Sequence, residues 1–407
     1  VHPVFPGRLT FFVILGMLTA VIFAMRVVQP AWWRPRAVRI GVFVAFGTMI
    51  LGLVVWAFGA RVDNHEIVRT GAGLAYIGVL VFAPAAFLMP ASAAIDRALV
   101  ALTKKKKVEP EPDQSPRISR RALIRFGSAS LPAMAAMTGA SGFVTARQSP
   151  TTPIIRLRYP ALHPHLDGLR ILQLSDLHLG AGFDLGDLER GLAIARDLRP
   201  DLIVLTGDLA DDTAQIEPAL RMVHAFGARY GALASLGNHE YLHGIEIARP
   251  AYERSPIPLL VGTSRVLRIG DARLHVGGAD DPVHMGGDIA WMLEPSIAKA
   301  MGAKPPAADF RLLLCHRPEG FVPATKLGFD LTMSGHTHGG QIGFLGRSLF
   351  DKLRPGHFWW GAYARERPRG TTRPGPSRLY TTSGFGHWFP FRLGCPTEMP
   401  LVVLERG

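Results

Sequence analysis

The chain has 407 residues, 48% of them hydrophobic, a formal net charge of +13 and only two cysteines. The basic excess lies before residue 148, where 17 Lys and Arg face 6 Asp and Glu, against 28 and 26 in the remainder. That distribution removes most of the support for a nucleic-acid-binding domain and makes the charge a topology signal. Cys315 and Cys395 are too few for a disulfide framework and show no CxxC metal spacing, which leaves either one pair or two buried thiols.

Three uncharged runs, 9–25, 40–60 and 70–95, each approach or exceed the ~17 to 25 residues a helix needs to cross a bilayer. They predict three spans, with Pro84 and Pro90 expected to kink or end the third. No charge interrupts them, so the ionisable pathway of a transporter is missing. Arg26, Arg34, Arg36 and Arg39 put the first loop in the cytoplasm, while Arg61 and Arg69 in the next loop are offset by Asp63 and Glu66. Arg97, Lys104 to Lys107, Arg117, Arg120, Arg121 and Arg125 repeat the cytoplasmic signal after the third run. A fourth run, 126–146, is richer in Gly, Ala and Ser. Preceded by Ser119-Arg120-Arg121, it reads either as a fourth helix or as a twin-arginine-type export signal. Both readings send the chain beyond about Arg147 to the extracytoplasmic side of a multi-pass protein of the bacterial cytoplasmic membrane. If the run does not cross, that part stays in the cytoplasm. The expected organisation is a transmembrane part over 1–103, a basic cytoplasmic linker over 104–125, the fourth hydrophobic segment over 126–147 and a further domain over 148–407.

From residue 154 onward short apolar strands alternate with amphipathic helices. The run 172–180 (LQLSDLHLG) reads as a buried strand, and Leu185, Leu188, Leu192 and Ala195 mark one helical face before a second strand at 201–206, a βαβ beginning. Further strands are expected at 232–236, 273–276, 311–315, 329–333, 378–381 and 401–404. Polar clusters stand at the ends of five of these strands. They are Asp176-Leu177-His178, Gly207-Asp208-Leu209-Ala210-Asp211, Gly237-Asn238-His239-Glu240, Cys315-His316 and Gly335-His336-Thr337-His338-Gly339-Gly340. Singly most are ordinary turns; five strand-end clusters in this order are hard to reach by chance.

In that order, DxH, GDxxD, GNH[DE], H and GHxH, the residues resemble the calcineurin-like metallophosphoesterases, and LDGLRILQLSDLHLG with GHTHGGQIG is similar to their membrane-associated bacterial phosphodiesterase branch. The resemblance covers roughly residues 154–407. It implies an α/β fold, a four-layer αββα sandwich, here preceded by an α-helical transmembrane domain of three or four spans. It implies Asp176, His178 and His338 as ligands of one metal, Asn238, His316 and His336 as ligands of a second, and Asp208 as the bridge. Mixed nitrogen and oxygen donors favour Mn²⁺, with Fe or Zn²⁺ as alternatives. A hydroxide shared by the two ions would attack phosphorus, His239 would protonate the leaving alkoxide and Asp211 would orient His239, although an exposed loop carboxylate is the competing reading of Asp211. The expected substrate is a phosphodiester or pyrophosphate, with lipid-linked esters included; a general phosphomonoesterase and a non-catalytic membrane scaffold or sensor are the alternatives. The membrane is an expected partner and nucleic acid is not. His387 and Arg392, in GFGHWFPFR, are candidates for phosphate contact. The insertion from Arg347 to Arg378, basic and aromatic, reads as a cleft wall suited to a phosphorylated amphiphile or an anionic membrane surface, or as a solvated basic loop that packs its aromatics on the core. His224, His243, His275 and His284 are expected to be structural.

Overall fold

The computed structural model describes residues 33–62, 64–103, 120–180, 182–282, 289–303, 307–354, 356–369, 373–387 and 389–407, with seven positions between 16 and 26. The chain divides into two compact units, His2–Val144 and Thr145–Gly407.

In the first unit, helix α1 (Arg36–Arg61) and helix α2 (His65–Thr103) form a hairpin, and α3 (Arg120–Ala146) comes after them. Helix α1 is apolar all round: Phe46, Met49, Leu53 and Trp56 are buried while Phe43, Val44, Leu51, Val54 and Phe58 are exposed. An all-apolar circumference is the pattern of a buried or membrane helix. Its inward face meets α2 through glycines. A Cβ on Gly52 would strike the backbone of Gly71 and Ala75, and one on Gly71 would strike the backbone of Trp56. Small residues that let backbones approach are how apolar helices pair in lipid. Among the described residues, α1 is the one helix long and apolar enough to cross a membrane. The third uncharged run lies inside α2, which continues through Pro84 and Pro90 to Thr103 instead of ending at either. Most of run 9–25 lies outside the described residues. Residues 104–119 also lie outside them, and α3 begins at Arg120, inside the stretch expected as linker, and takes in the fourth run.

The second unit carries strands β1 (Ile154–Tyr159), β2 (Arg170–Leu174), β3 (Leu202–Thr206), β4 (Ala232–Ser235), β5 (Thr263–Ile269), β6 (Ala272–Gly278), β7 (Phe310–Leu314), β8 (Leu331–Ser334), β9 (Gly343–Phe344), β10 (Arg347–Ser348), β11 (Gly361–Arg365), β12 (Ser377–Thr381) and β13 (Leu401–Arg406). Its helices are α4 (Leu185–Ala195), α5 (Ile216–Ala225), α6 (Asn238–Leu242), α7 (Ile245–Glu253), α8 (Ile289–Met301) and α9 (Phe321–Leu327). One sheet has the order β1-β13-β2-β3-β4, the other β11-β12-β8-β7-β6-β5, and β9 with β10 makes a separate hairpin. β2, β3 and β4 are mutually parallel, as are β6, β7, β8 and β12; β5, β11 and β13 supply the antiparallel pairings.

Alternation along the strands builds four layers. Ile171, Val204 and Val402 of the first sheet pack with Leu274, Leu312 and Met333 of the second, so the sheets meet face to face. Leu172, Leu205 and Val403, on the opposite face, pack with Leu188 and Leu192 of α4, Leu220 of α5 and Tyr252 of α7. Leu293 and Ile297 of α8 and Ala324 of α9 cover Leu313 of the second sheet. Because both faces of the parallel strands are buried, their sequences read as continuous apolar runs. Helix α4 starts where its sequence says it should, with Asp184 and Asp187 forming a reciprocal capping box that satisfies two of the orphan N–H groups. Gln173 crosses between sheets, its Nε2 donating to Thr206 Oγ1 and to the Ser334 carbonyl, each at 2.9 Å. The C-terminal ends of β2, β3, β4, β7 and β8 are thereby gathered at one edge, where open α/β sheets characteristically bind ligands.

Candidate metal centre

Each of those five strands runs directly into one polar cluster. Asp176, His178, Asp208, His336 and His338 all adopt left-handed backbone, with φ between 48° and 68°. Asp and His tolerate this region better than most residues, but it still carries a steric penalty and persists only where neighbours enforce it. Here Asp176 N–H donates to the Gly207 carbonyl and His178 N–H to the Asp208 carbonyl, each at 3.1 Å. Neighbouring glycines leave room for the carboxylates. A Cβ on Gly335 would fall on Asp176 Oδ2, and one on Gly237 would fall on Asp208 Oδ1.

Asp176, His178 and His338 converge as one group, and Asp208, His316 and His336 as another. His178 Nε2 and His338 Nε2 lie 3.1 Å apart, and Asp176 Oδ1 is 3.4 Å from His338 Nε2. Asp208 Oδ2 stands 3.0 Å from His316 Nε2, 3.7 Å from His178 Nε2 and 4.0 Å from His239 Nε2. Its other oxygen accepts the His239 backbone N–H at 2.8 Å. Asn238, the residue before, is buried with its Oδ1 free of any hydrogen bond.

The donor set fits divalent cations on several counts. Asp176 Oδ2 and Asn238 Oδ1 are buried acceptors without partners, and His316 Nε2 makes no aligned hydrogen bond despite its closeness to Asp208. Buried acceptors left unpaired are costly unless something else satisfies them. Burial pushes His336 and His338 well below the ordinary imidazole value, helped by the charges of His316 and Arg317 at His336 and of Arg392 at His338, so both rings stay neutral. Burial also pushes Asp176 up, whereas at Asp208 it is outweighed by His316, His239 and His178, which hold that carboxyl well below its usual range. Against its own burial, His316 is lifted to about 10, chiefly by Asp208. Two buried carboxylates drawing protons onto surrounding imidazoles is an arrangement in which cations substitute for protons.

The surrounding residues fix the ring directions. Asp211 Oδ1 accepts from His178 Nδ1 at 2.9 Å and from His239 Nδ1 at 2.8 Å, with His243 Nε2 at 3.4 Å. Asp208 and Asp211 oppose the desolvation of His239 and raise it to about 9. Asp212, by contrast, caps the 3-10 turn Thr213–Gln215. His316 Nδ1 donates to the Thr206 carbonyl at 2.7 Å, and Glu240 accepts the N–H groups of Asp208, Leu209 and Gly237. Arg317 links Asp281 Oδ1 at 2.6 Å to His336 Nε2 at 2.9 Å. His243, Arg317 and Asp281 were not legible as site residues, although His243 stands four residues after His239, a spacing that aligns side chains on a helix.

Arg392 and His387 are placed differently from the sequence expectation. Arg392 is fully buried. Its guanidinium donates to the carbonyls of His338, Ser383 and Gly386 at 3.0, 2.7 and 2.8 Å and to His338 Nδ1 at 2.9 Å, so it holds His338 from behind and offers no surface to a phosphate. His387 is also buried, against Gly182. The basic insertion divides in two. Arg367 and Arg373 bind Asp330 at 2.7 and 2.9 Å, and Arg378 donates to the Arg158 carbonyl and covers the Tyr159 ring, so these cations hold the fold. Phe358 packs on Phe321 and Tyr363, and Phe350 on Trp359. Phe344, Leu345, Leu349 and Leu353, with Arg347, Lys352 and Arg354, remain exposed. Cys315 and Cys395 are buried free thiols.

Residues 169–340 match the profile of the calcineurin-like phosphoesterases. The chain is 29% identical over 240 residues to a metallophosphoesterase of Campylobacter jejuni, Cj0846, covering 58% of this chain and 59% of that one. It is 27% identical over 303 residues to the metallophosphoesterase YkuE of Bacillus subtilis, covering 71% and 98%. A transmembrane protein with metallophosphoesterase domain from Danio rerio is 27% identical over 287 residues, covering 65% and 60%. The chain thus spans about three fifths of the length of the Campylobacter and Danio relatives.

Proposed function

We propose, from the match of residues 169–340 to the calcineurin-like phosphoesterases, a membrane-anchored, metal-dependent phosphohydrolase that cleaves a phosphodiester or pyrophosphate, lipid-linked esters included. The position of Asp208 carries this reading: one carboxylate oxygen lies 3.0 Å from His316 on one side and 3.7 Å from His178 on the other. Asp176, His178 and His338 would hold one divalent cation and Asn238, His316 and His336 another, with Asp208 common to both and Mn²⁺ favoured over Fe or Zn²⁺ by the oxygen donors. Such a pair lowers the pKa of water and neutralises phosphoryl oxygens.

The chain's own residues handle the proton. His239 gives Nδ1–H to Asp211, which leaves Nε2 to deliver a proton to the departing oxygen, and its side chain is only partly buried, as a group that meets substrate must be. Helix α1, with runs 9–25, 70–95 and 126–146, would anchor the chain through three or four spans, and the arginine distribution favours an extracytoplasmic catalytic unit. Reporter fusions after Arg117 and Arg147 test this placement; cytoplasmic signals from both would refute it.

Hydrolysis by the purified full chain with Mn²⁺ tests the chemistry. Bis-p-nitrophenyl phosphate is expected to be cleaved faster than p-nitrophenyl phosphate, and a strong preference for the monoester would select a phosphomonoesterase instead. Unchanged hydrolysis by Asp208→Asn would overturn the two-metal reading, and no hydrolysis by the parent chain would return the scaffold alternative, which has no chemical use for seven convergent donors.

A further inference from the structure

The β9–β10 hairpin reverses through Leu345 and Gly346, both with positive φ, at 50° and 75°. Two-residue hairpin turns of this kind normally take Asn, Asp or Gly, because a branched apolar side chain pays a steric penalty there. Leu345 gains nothing from the fold in return, since it is 86% exposed. Phe344 beside it is 67% exposed, and Leu353, on the turn after β10, is 73% exposed. Large apolar side chains standing this far into water on one short stretch mark a surface that is covered in use.

The charges of the stretch point to what covers it. Arg347, Lys352 and Arg354 are exposed among the apolar residues, and the one acid of the segment, Asp351, is engaged by the Tyr363 hydroxyl at 3.2 Å. A cavity of about 540 Å³ is lined by Phe344, Leu349 and Phe358 together with Arg347, Asp351 and Lys352. Cations interleaved with protruding apolar groups match a bilayer that offers acyl chains below anionic head groups. We propose that residues 344–354 form a docking tip that enters the interfacial layer of an anionic phospholipid membrane and lays the catalytic unit against it. This contact is additional to the membrane-spanning helices, and it stands whether or not the metal centre acts on a lipid-linked ester.

The test uses the full chain with Leu345→Cys carrying a nitroxide, in nanodiscs of phosphatidylcholine alone or mixed with phosphatidylglycerol. Cys315 and Cys395 are buried, and burial pushes both thiols up, so the label goes to position 345. Collision of the label with oxygen is expected to rise severalfold, and collision with a water-soluble nickel chelate to fall, in the phosphatidylglycerol discs only. Combining R347E, K352E and R354E should remove that difference while metal content stays unchanged. A label that remains in water in both lipids overturns the proposal. So does one equally immersed in both and indifferent to the charge reversal.

Discussion

His178 and His239 donate to a single acceptor, Oδ1 of Asp211, at 2.9 and 2.8 Å, and both turn Nε2 toward Asp208. One carboxylate therefore orients a proposed metal ligand and a proposed proton donor together. Asp211→Asn keeps the shape and removes the charge. Metal affinity is expected to fall ~10- to 100-fold through His178, and kcat by ~10²- to 10⁴-fold through His239. His239→Asn should lose kcat and keep the metal. Metal analysis beside steady-state kinetics separates the two, and an Asp211→Asn variant unchanged in both would leave Asp211 a purely structural residue.

Metal affinity is expected to rise with pH. His316, lifted to about 10 by Asp208, is protonated at neutral pH in the cation-free protein, and ligation requires that proton to leave. Below its folded pKa, apparent affinity for the site that contains His316 should increase about tenfold per pH unit. Calorimetric titration with Mn²⁺ in two buffers of different ionisation heat counts the protons released. Release of none would contradict this account.

Gly335→Ala should separate stability from metal binding. The added methyl has to displace the Asp176 carboxylate or Ser175 Oγ, at an overpacking cost of ~1–3 kcal/mol. The expected outcome is a catalytic unit that still melts cooperatively but retains one cation of two and loses hydrolysis. Full metal occupancy in this variant would show that Asp176 is not a ligand.

Away from the site, His275 should make the protein acid-sensitive. Burial, with Arg311 nearby, pushes it down to about 4 from an ordinary 6.5. Between those values the unfolded chain binds the proton and the folded one does not, so stability is full above the upper value and falls with pH through the window, by about 1.4 kcal/mol per unit. His275→Gln should flatten that part of the melting profile, and a profile identical to the parent would exclude His275 as its source.

The strand-end clusters were legible because each binds its chemistry to a short local motif, and α4 because its apolar residues keep helical spacing. Strand β5 was not, since TSRVLRI is exposed along most of its length and shows no buried alternation. The role of Arg392 was hidden for another reason: three of its partners are carbonyls, which any residue supplies. Arg367 and Arg373 resembled substrate-facing cations until Asp330, some forty residues earlier, was placed between them. A helix running through Pro84 and Pro90 likewise defies local propensity, as apolar helices packed on neighbours do.

Strand β13 lies between β1 and β2, although more than two hundred residues of chain separate it from both. The last of the convergent side chains, His338, therefore leaves the ribosome 68 residues before Arg406, the end of the strand that completes the sheet beneath Asp176. During synthesis the chain passes through an interval in which every cation-binding group exists and the scaffold that aims them does not. A nascent chain that captured an ion in that interval would hold it in a geometry the sheet has yet to impose.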